Sequence, residues 1–215
     1  MPVNFDSIAP YYSFGEKYLF GDKLDFHRRL FPKTLRISDK VLLLGEGRGK
    51  FLQFLLNENK TCEVTIVESS KRMAQLIYNL IPHRDRFRVK IKNISIEHYK
   101  SDQRFDLICS FFFWDCFSEY QLNRHIPSIL KLLCNKGHWH NADFVDRHKL
   151  TCYQTFKNFI FLRSLYLFFK YSTGIDGKSV FPVRSLILKS NMRLIHSVES
   201  NNKLLKSDLF RKIGE

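Results

Sequence analysis

The sequence predicts a doubly wound α/β domain: a mostly parallel seven-stranded sheet with helices on both faces and a C-terminal antiparallel hairpin. Two observations carry this expectation. Short apolar runs of strand length alternate with segments whose apolar residues recur at helical spacing, as a parallel sheet with crossover helices requires. The first of those runs also breaks at three closely spaced glycines, Gly45, Gly47 and Gly49, which reads as the turn of a strand–loop–helix unit.

The elements follow in order. From Phe5 to Phe31, Ile8, Tyr12, Leu19, Leu24, Phe26 and Leu30 lie among polar residues, which suits short helices leading to Pro32; residues 1–36 are taken as a helical cap. Val41 to Leu44 is the first strand, and Phe51 to Leu56 the helix that follows the glycines. Val64 to Val67 is the second strand, ending at Glu68, and Met73, Leu76, Ile77 and Leu80 mark a helix that Pro82 stops.

Phe87 to Ile91 alternates basic and apolar residues as a third strand, and Phe105 to Ser110 is a short apolar run typical of a central parallel strand. Ile126, Ile129, Leu130 and Leu133 define a helix face before the turn Asn135-Lys136-Gly137. His138 to Phe144 then reads as the fifth strand, closing a core over residues 37–150. Cys152 to Tyr171 is apolar nearly all round and predicts a long buried helix. Leu194 to Val198 and Leu204 to Phe210, joined by the polar turn Glu199 to Asn202, predict a closing hairpin.

Bulk properties bound the function. A length of 215 residues with 44% hydrophobic content suits one domain with a full core. The net charge of +14, from 35 Lys and Arg against 21 Asp and Glu, favours nucleic acid, anionic lipid or acidic ligands without choosing among them. The five cysteines form no C-x-x-C pair and find no histidine at zinc-finger spacing, so neither a metal nor a disulfide framework is expected. Met1 to Pro10 lacks the pattern of a secretory signal, and no stretch approaches the ~20 apolar residues of a membrane span. The expectation is a soluble, cytoplasmic protein.

Chemistry concentrates at the strand tips. Glycines at 45, 47 and 49 let backbone N–H groups approach a ligand closely, and Glu68 at the end of the next strand is placed to accept both hydroxyls of a ribose. Together they predict an adenosine-containing ligand. The dinucleotide fingerprint G-x-G-x-x-G wants its third small residue where Lys50 stands; the early Gly49 points away from a pyrophosphate.

From these residues the chain resembles the class I S-adenosylmethionine-dependent methyltransferases, over roughly Phe5 to Phe210, and the resemblance implies a Rossmann-like fold. It implies S-adenosyl-L-methionine as cofactor, with Gly45, Gly47 and Gly49 around its methionine part, Glu68 on the ribose and Asn93 at the adenine. Glu46, Ser69, Met73, Ile94 and Ser110 complete the implied cofactor set. The chain departs from that pattern at Leu43 and Asn93, where the family usually carries acids; Glu46 is the candidate for the missing carboxylate. The opening Phe5-Asp-Ser-Ile-Ala9-Pro-Tyr-Tyr12 is similar to the quinone-biosynthesis methyltransferases, which implies Tyr12 as an aromatic closing over the cofactor.

The run Ser110-Phe-Phe-Phe-Trp-Asp115-Cys-Phe lies at the carboxyl edge of the predicted sheet, where open α/β folds place substrates. Phe112 and Trp114, with Tyr153 and Phe156 from the segment 151–192 that the resemblance implies as a substrate cover, are the candidate acceptor contacts, and aromatic faces favour a flat or lipid-like small-molecule acceptor. Asp115 and Asp143, just beyond the fourth and fifth strands, are candidate catalytic proton acceptors. Strand alternation puts His138 and His140 on one face as ordinary structural histidines. The motifs of enzymes that methylate nucleic-acid amines or cytosine C5 are missing. Two alternatives stand beside methyl transfer to a small acceptor: an RNA-binding or RNA-modifying protein, and a non-catalytic cofactor-binding relative. The basic residues between Cys152 and Tyr171 would also suit peripheral contact with an anionic membrane.

Overall fold

The computed structural model describes residues 21–145, 183–201 and 203–214. Its seven strands are β1 (Lys40–Leu44), β2 (Glu63–Val67), β3 (Val89–Lys92), β4 (Phe105–Phe111), β5 (Leu133–Phe144), β6 (Met192–Glu199) and β7 (Leu205–Lys212). They form one sheet in the order β3-β2-β1-β4-β5-β7-β6. The first five are parallel, and β7 pairs antiparallel with both β5 and β6. This is the mostly parallel Rossmann-like sheet with a closing hairpin that the sequence predicts.

Among the described residues six α-helices accompany it: α1 (Lys23–Arg28), α2 (Pro32–Arg36), α3 (Lys50–Glu58), α4 (Lys71–Leu80), α5 (Glu119–Leu130) and α6 (Val183–Leu188). Alternate residues of β1 point to opposite faces. Val41 and Leu43 join Leu35, Phe51, Leu52, Leu55 and Ile77 beneath α2, α3 and α4. Leu42 and Leu44 join Trp114, Leu122, Ile126, Ile129, Trp139, Ile187 and Phe210 beneath α5 and α6. Burial on both faces explains why the central strands are continuous apolar runs. The α1 helix docks against the hairpin, where His27 Nδ1 and Ser207 Oγ lie 2.8 Å apart.

Two boundaries differ from expectation. Phe87 and Arg88 belong to a 3-10 turn, His83–Arg88, ahead of β3. Arg88 is drawn inward, pairing with Asp85 at 2.8 Å and donating to the carbonyl oxygens of Leu56, Asn59 and Cys62. Satisfying those buried carbonyls takes precedence over extending the strand. Asn135, Lys136 and Gly137 lie within β5 rather than before it. The β4–β5 register passes from Phe105↔Leu133 to Leu107↔His138, with Lys136 at φ 63° in the bulge. The long helix expected over residues 152–171 and the first part of the cap lie outside the described residues. Among the described residues, no helix is long and apolar enough to cross a membrane.

Candidate functional site

The strand order reverses between β1 and β4, so their carboxyl ends open a crevice on either side of which the chain leaves in opposite directions. Leu44 is in register with both Val67 and Ser110, so the loops after β1, β2 and β4 start at one level. The glycine loop begins there. Gly45, at φ 62°, donates its N–H to the Val67 carbonyl at 3.0 Å. A Cβ at Gly45 would lie 2.4 Å from Phe113 Cδ2, so this backbone passes too close to the aromatic ring for any side chain.

Glu68 ties the loops together. Its Oε2 accepts from the Gly47 N–H at 3.3 Å and its Oε1 from the Ser70 N–H at 2.9 Å. The carboxylate thereby spans the turn after β1 and the start of the loop after β2. Asn93 Nδ2 donates to the carbonyl oxygens of Glu68 at 2.8 Å and Ser69 at 3.2 Å, fastening the loop after β2 to the loop after β3. Ser70 in turn caps α4, its Oγ accepting from the Met73 N–H at 3.1 Å.

Glu46 turns into the first turn of α3, where Oε1 accepts from the Leu52 N–H at 2.9 Å. Burial pushes its carboxyl up to about 7, against the opposing pull of the Leu52 amide and the Arg28 charge. Leu43, where an acid was looked for, is packed in the core beneath the helices. Glu46 is thus the carboxyl that the glycine loop itself brings to the crevice.

The facing wall is aromatic. Phe112 adopts φ 52°, a left-handed conformation costly for a non-glycine residue, and its N–H donates to the Ala142 carbonyl at 2.7 Å. The Arg28 guanidinium lies 5.3 Å from the Phe112 ring centre. Together these elements enclose one cavity, lined by Gly45, Glu46, Gly47, Arg48, Glu68, Ser69 and Met73 on one side. Ile94 to Glu97, Phe111 to Phe113, Cys116, Phe117, Gln121 and Arg28 also line it.

Eight of the residues singled out from sequence therefore meet at one cavity: Gly45, Glu46, Gly47, Glu68, Ser69, Met73, Ile94 and Phe112. Gly49 lies behind, at φ 80°, as the residue that starts α3, and Asn93 works as the loop fastener described above. Ser110 is fully buried, donating to Asn141 Oδ1 at 2.7 Å and accepting from Trp139 Nε1 at 2.8 Å. Trp114 is also fully buried, because the 3-10 turn Trp114–Cys116 carries its ring under the sheet to 6.0 Å from Trp139. Tyr12, Tyr153 and Phe156 lie outside the described residues.

Asp115 and Asp143 stand one layer behind the wall. The Cys116 thiol, which lines the cavity, donates to Asp115 Oδ1 at 3.5 Å, and Asp143 Oδ1 accepts from the Phe144 N–H at 2.9 Å. Burial pushes Asp115 up to about 7; burial and the neighbouring Asp115 charge push Asp143 well up. Burial thus biases both carboxyls towards their protonated forms.

His140 departs from the ordinary structural role expected of it. Buried between the ring edges of Phe31 at 4.9 Å and Phe111 at 4.8 Å, neither of its nitrogens makes a well-formed hydrogen bond among the described residues. Burial lowers it to about 3, with the His27 backbone pulling slightly the other way. The described residues contain no cluster of His, Cys, Asp and Glu suited to a metal ion. Sequence reasoning missed Arg28, Glu97, Phe113, Phe117 and Gln121 as cavity residues. The two phenylalanines stood in the run already suspected, but nothing local marks Arg28, which three-dimensional packing of α1 brings to the cavity.

Residues 41–137 match the family model of a methyltransferase domain. No curated protein matches the chain in sequence. Among solved structures, the N-methyltransferase NodS from Bradyrhizobium japonicum WM9 superposes with a TM-score of 0.63 at 14% identity, covering 88% of this chain and 97% of that one. An O-methyltransferase family protein from Burkholderia thailandensis gives 0.73 at 12% identity, over 96% and 60% of the two chains. The plantazolicin methyltransferase BpumL, solved with a desmethyl-plantazolicin analog and SAH, gives 0.66 at 12% identity, over 95% and 90%. At these identities the likeness is one of fold.

Proposed function

We propose that this chain is an S-adenosylmethionine-dependent methyltransferase acting on a small aromatic or lipid-like acceptor. One observation carries the reading: the carboxylate after β2 is bonded to the turn after β1, in a cavity that Gly45 and Gly47 line without side chains. A Cβ built at Gly47 would meet nothing within 4 Å, so the loop leaves open ground beside Glu68.

The residues present suit the cofactor. Gly45 and Gly47 would bed its methionine part, and the Glu68 carboxylate would accept from the ribose hydroxyls. Ser69, Met73 and Ile94 would flank the adenine. Glu46 offers a carboxylate for the ammonium group, and Arg28 a guanidinium for the carboxylate. When bound, the cofactor supplies an electrophilic methyl group on a positively charged sulfur.

Phe111, Phe112, Phe113 and Phe117 exclude water from the acceptor and hold a flat or apolar body against the site. Positioning of this kind supplies much of what methyl transfer needs. Asp115 and Asp143 act from behind the wall as positioning groups, and burial together with the Asp115 charge keeps the Cys116 thiol protonated as it donates to Asp115. Tyr12 would complete the closure, as the resemblance of Phe5 to Tyr12 to the quinone-biosynthesis enzymes implies.

Calorimetric titration with S-adenosylmethionine and S-adenosylhomocysteine tests the cofactor, and labelled methyl transfer to a panel of phenols, aryl amines and prenylated phenols tests the acceptor class. Binding of neither nucleoside overturns the proposal. Binding with transfer only to nucleic acid overturns the acceptor.

A further inference from the structure

The β3 edge of the sheet carries a concentration of positive charge that the cavity does not use. Lys71 and Arg72 open α4, Arg84, Arg86 and Arg88 lie in the 3-10 turn, and Lys90 and Lys92 point outward from β3. Asp85, the acid within this stretch, is buried and held by Arg88 at 2.8 Å. Glu63 also faces it, 3.9 Å from Lys90 in a solvent-exposed pair. Arg84 approaches Asp85 at 3.6 Å while its side chain stays 76% exposed.

In the middle of this field stands Phe87, 83% exposed, the most exposed large apolar side chain among the described residues. Its position is enforced from both sides. Asp85 and Arg88 are locked inward, and Arg88 is bonded to three backbone carbonyls, so the turn has no freedom to fold Phe87 back. A solvated basic face accounts for the lysines but not for a rigidly presented phenylalanine between arginines.

We propose that this edge is a peripheral docking surface for an anionic phospholipid bilayer. Phe87 enters the acyl boundary while Arg84, Lys90 and Lys92 lie among the headgroups. The chemistry is that of an apolar tip in a polybasic surface, where lipid charge and acyl burial act together. Single-stranded nucleic acid fits less well, because it calls for successive open aromatic platforms. Here the nearby aromatic ring, Tyr78, already lies under the Arg86 guanidinium at 4.7 Å. The surface is independent of methyl transfer and stands whether or not the cavity binds a nucleoside.

Both tryptophans, Trp114 and Trp139, are fully buried, so Phe87→Trp adds the reporter that senses solvent at this edge. With the full chain and vesicles of phosphatidylcholine mixed with phosphatidylserine, its emission moves to the blue and brominated acyl chains quench it. Phosphatidylcholine alone produces neither effect. Phe87→Ser weakens co-sedimentation with the mixed vesicles by about tenfold, and Lys90→Gln or Lys92→Gln by roughly fivefold each. Thermal unfolding of the variants, all at exposed positions, overlays that of the parent. Unchanged emission on the mixed vesicles overturns the proposal even if the protein sediments, since another face then binds. Quenching by single-stranded RNA without a vesicle response overturns it in favour of nucleic acid.

Discussion

Glu68 and Gly47, twenty-one positions apart, are joined by a hydrogen bond of 3.3 Å from the glycine N–H to the carboxylate. The ribose-binding role proposed for Glu68 and the shape of the glycine turn are therefore coupled. Glu68→Ala removes charge-assisted hydrogen bonds worth about 1.5–3 kcal/mol, so S-adenosylmethionine affinity should fall roughly ten- to a hundredfold. Calorimetry on the variant checks this, and an affinity equal to the parent's removes Glu68 from the site.

Gly45→Ala tests the contact between the first glycine and the aromatic wall. The new methyl group falls 2.4 Å from the Phe113 ring on a backbone at φ 62°. Left-handed strain alone costs about 1–2 kcal/mol. The melting temperature should drop, and cofactor affinity should fall with it because Phe113 is pushed into the cavity. A variant that melts and binds like the parent would show that Phe113 moves aside freely.

Glu46 makes stability and binding depend on pH. Its carboxyl, ordinarily at 4.5, is raised to about 7 by burial, so folding favours the protonated form. That contribution is complete below pH 4.5 and is lost as pH rises through 7. Chemical denaturation between these limits should show a slope that Glu46→Gln abolishes. A cationic cofactor favours the ionised form, so binding near pH 6, about a unit below the folded value, should release protons. Titrations in buffers of different ionisation enthalpy measure that release.

His140 has the opposite sign. Folding holds it neutral, with its pKa lowered from 6.5 to about 3, so its contribution is present above pH 6.5 and is lost as pH falls towards 3. His140→Phe, placed between the edges of Phe31 and Phe111, should keep its stability in acid where the parent loses it. Urea unfolding of both proteins across this range gives the comparison. The slope from buried carboxyls is common to both and cancels in the difference.

What was legible in the sequence was local. Val41 to Gly49 reads as strand, turn and helix because apolar runs and glycines encode it over a few residues, and Glu68 follows from the end of the next run. What stayed hidden depends on partners far along the chain. Phe87 and Arg88 alternate like a strand, yet three carbonyls around residues 56–62 pull Arg88 inward and leave Phe87 outside. Trp114 sits in an aromatic run at the sheet edge, yet Trp139 and the α5 face receive it in the core. Gly137 signals a turn, yet β4 offers enough pairing to carry the strand through it as a bulge.

The strand order also dictates when the domain can be completed during its synthesis. β7 follows β6 along the chain but lies between β5 and β6 in the sheet. While residues 205–212 are still inside the ribosome, the nascent chain holds β5 with an open hydrogen-bonding edge and β6 with nothing to pair against. The cofactor crevice, built by β1 to β4, is encoded entirely upstream of that step. Translation thus delivers the crevice first and the seal on the sheet last, an interval in which the unpaired β5 edge is the natural target of a chaperone.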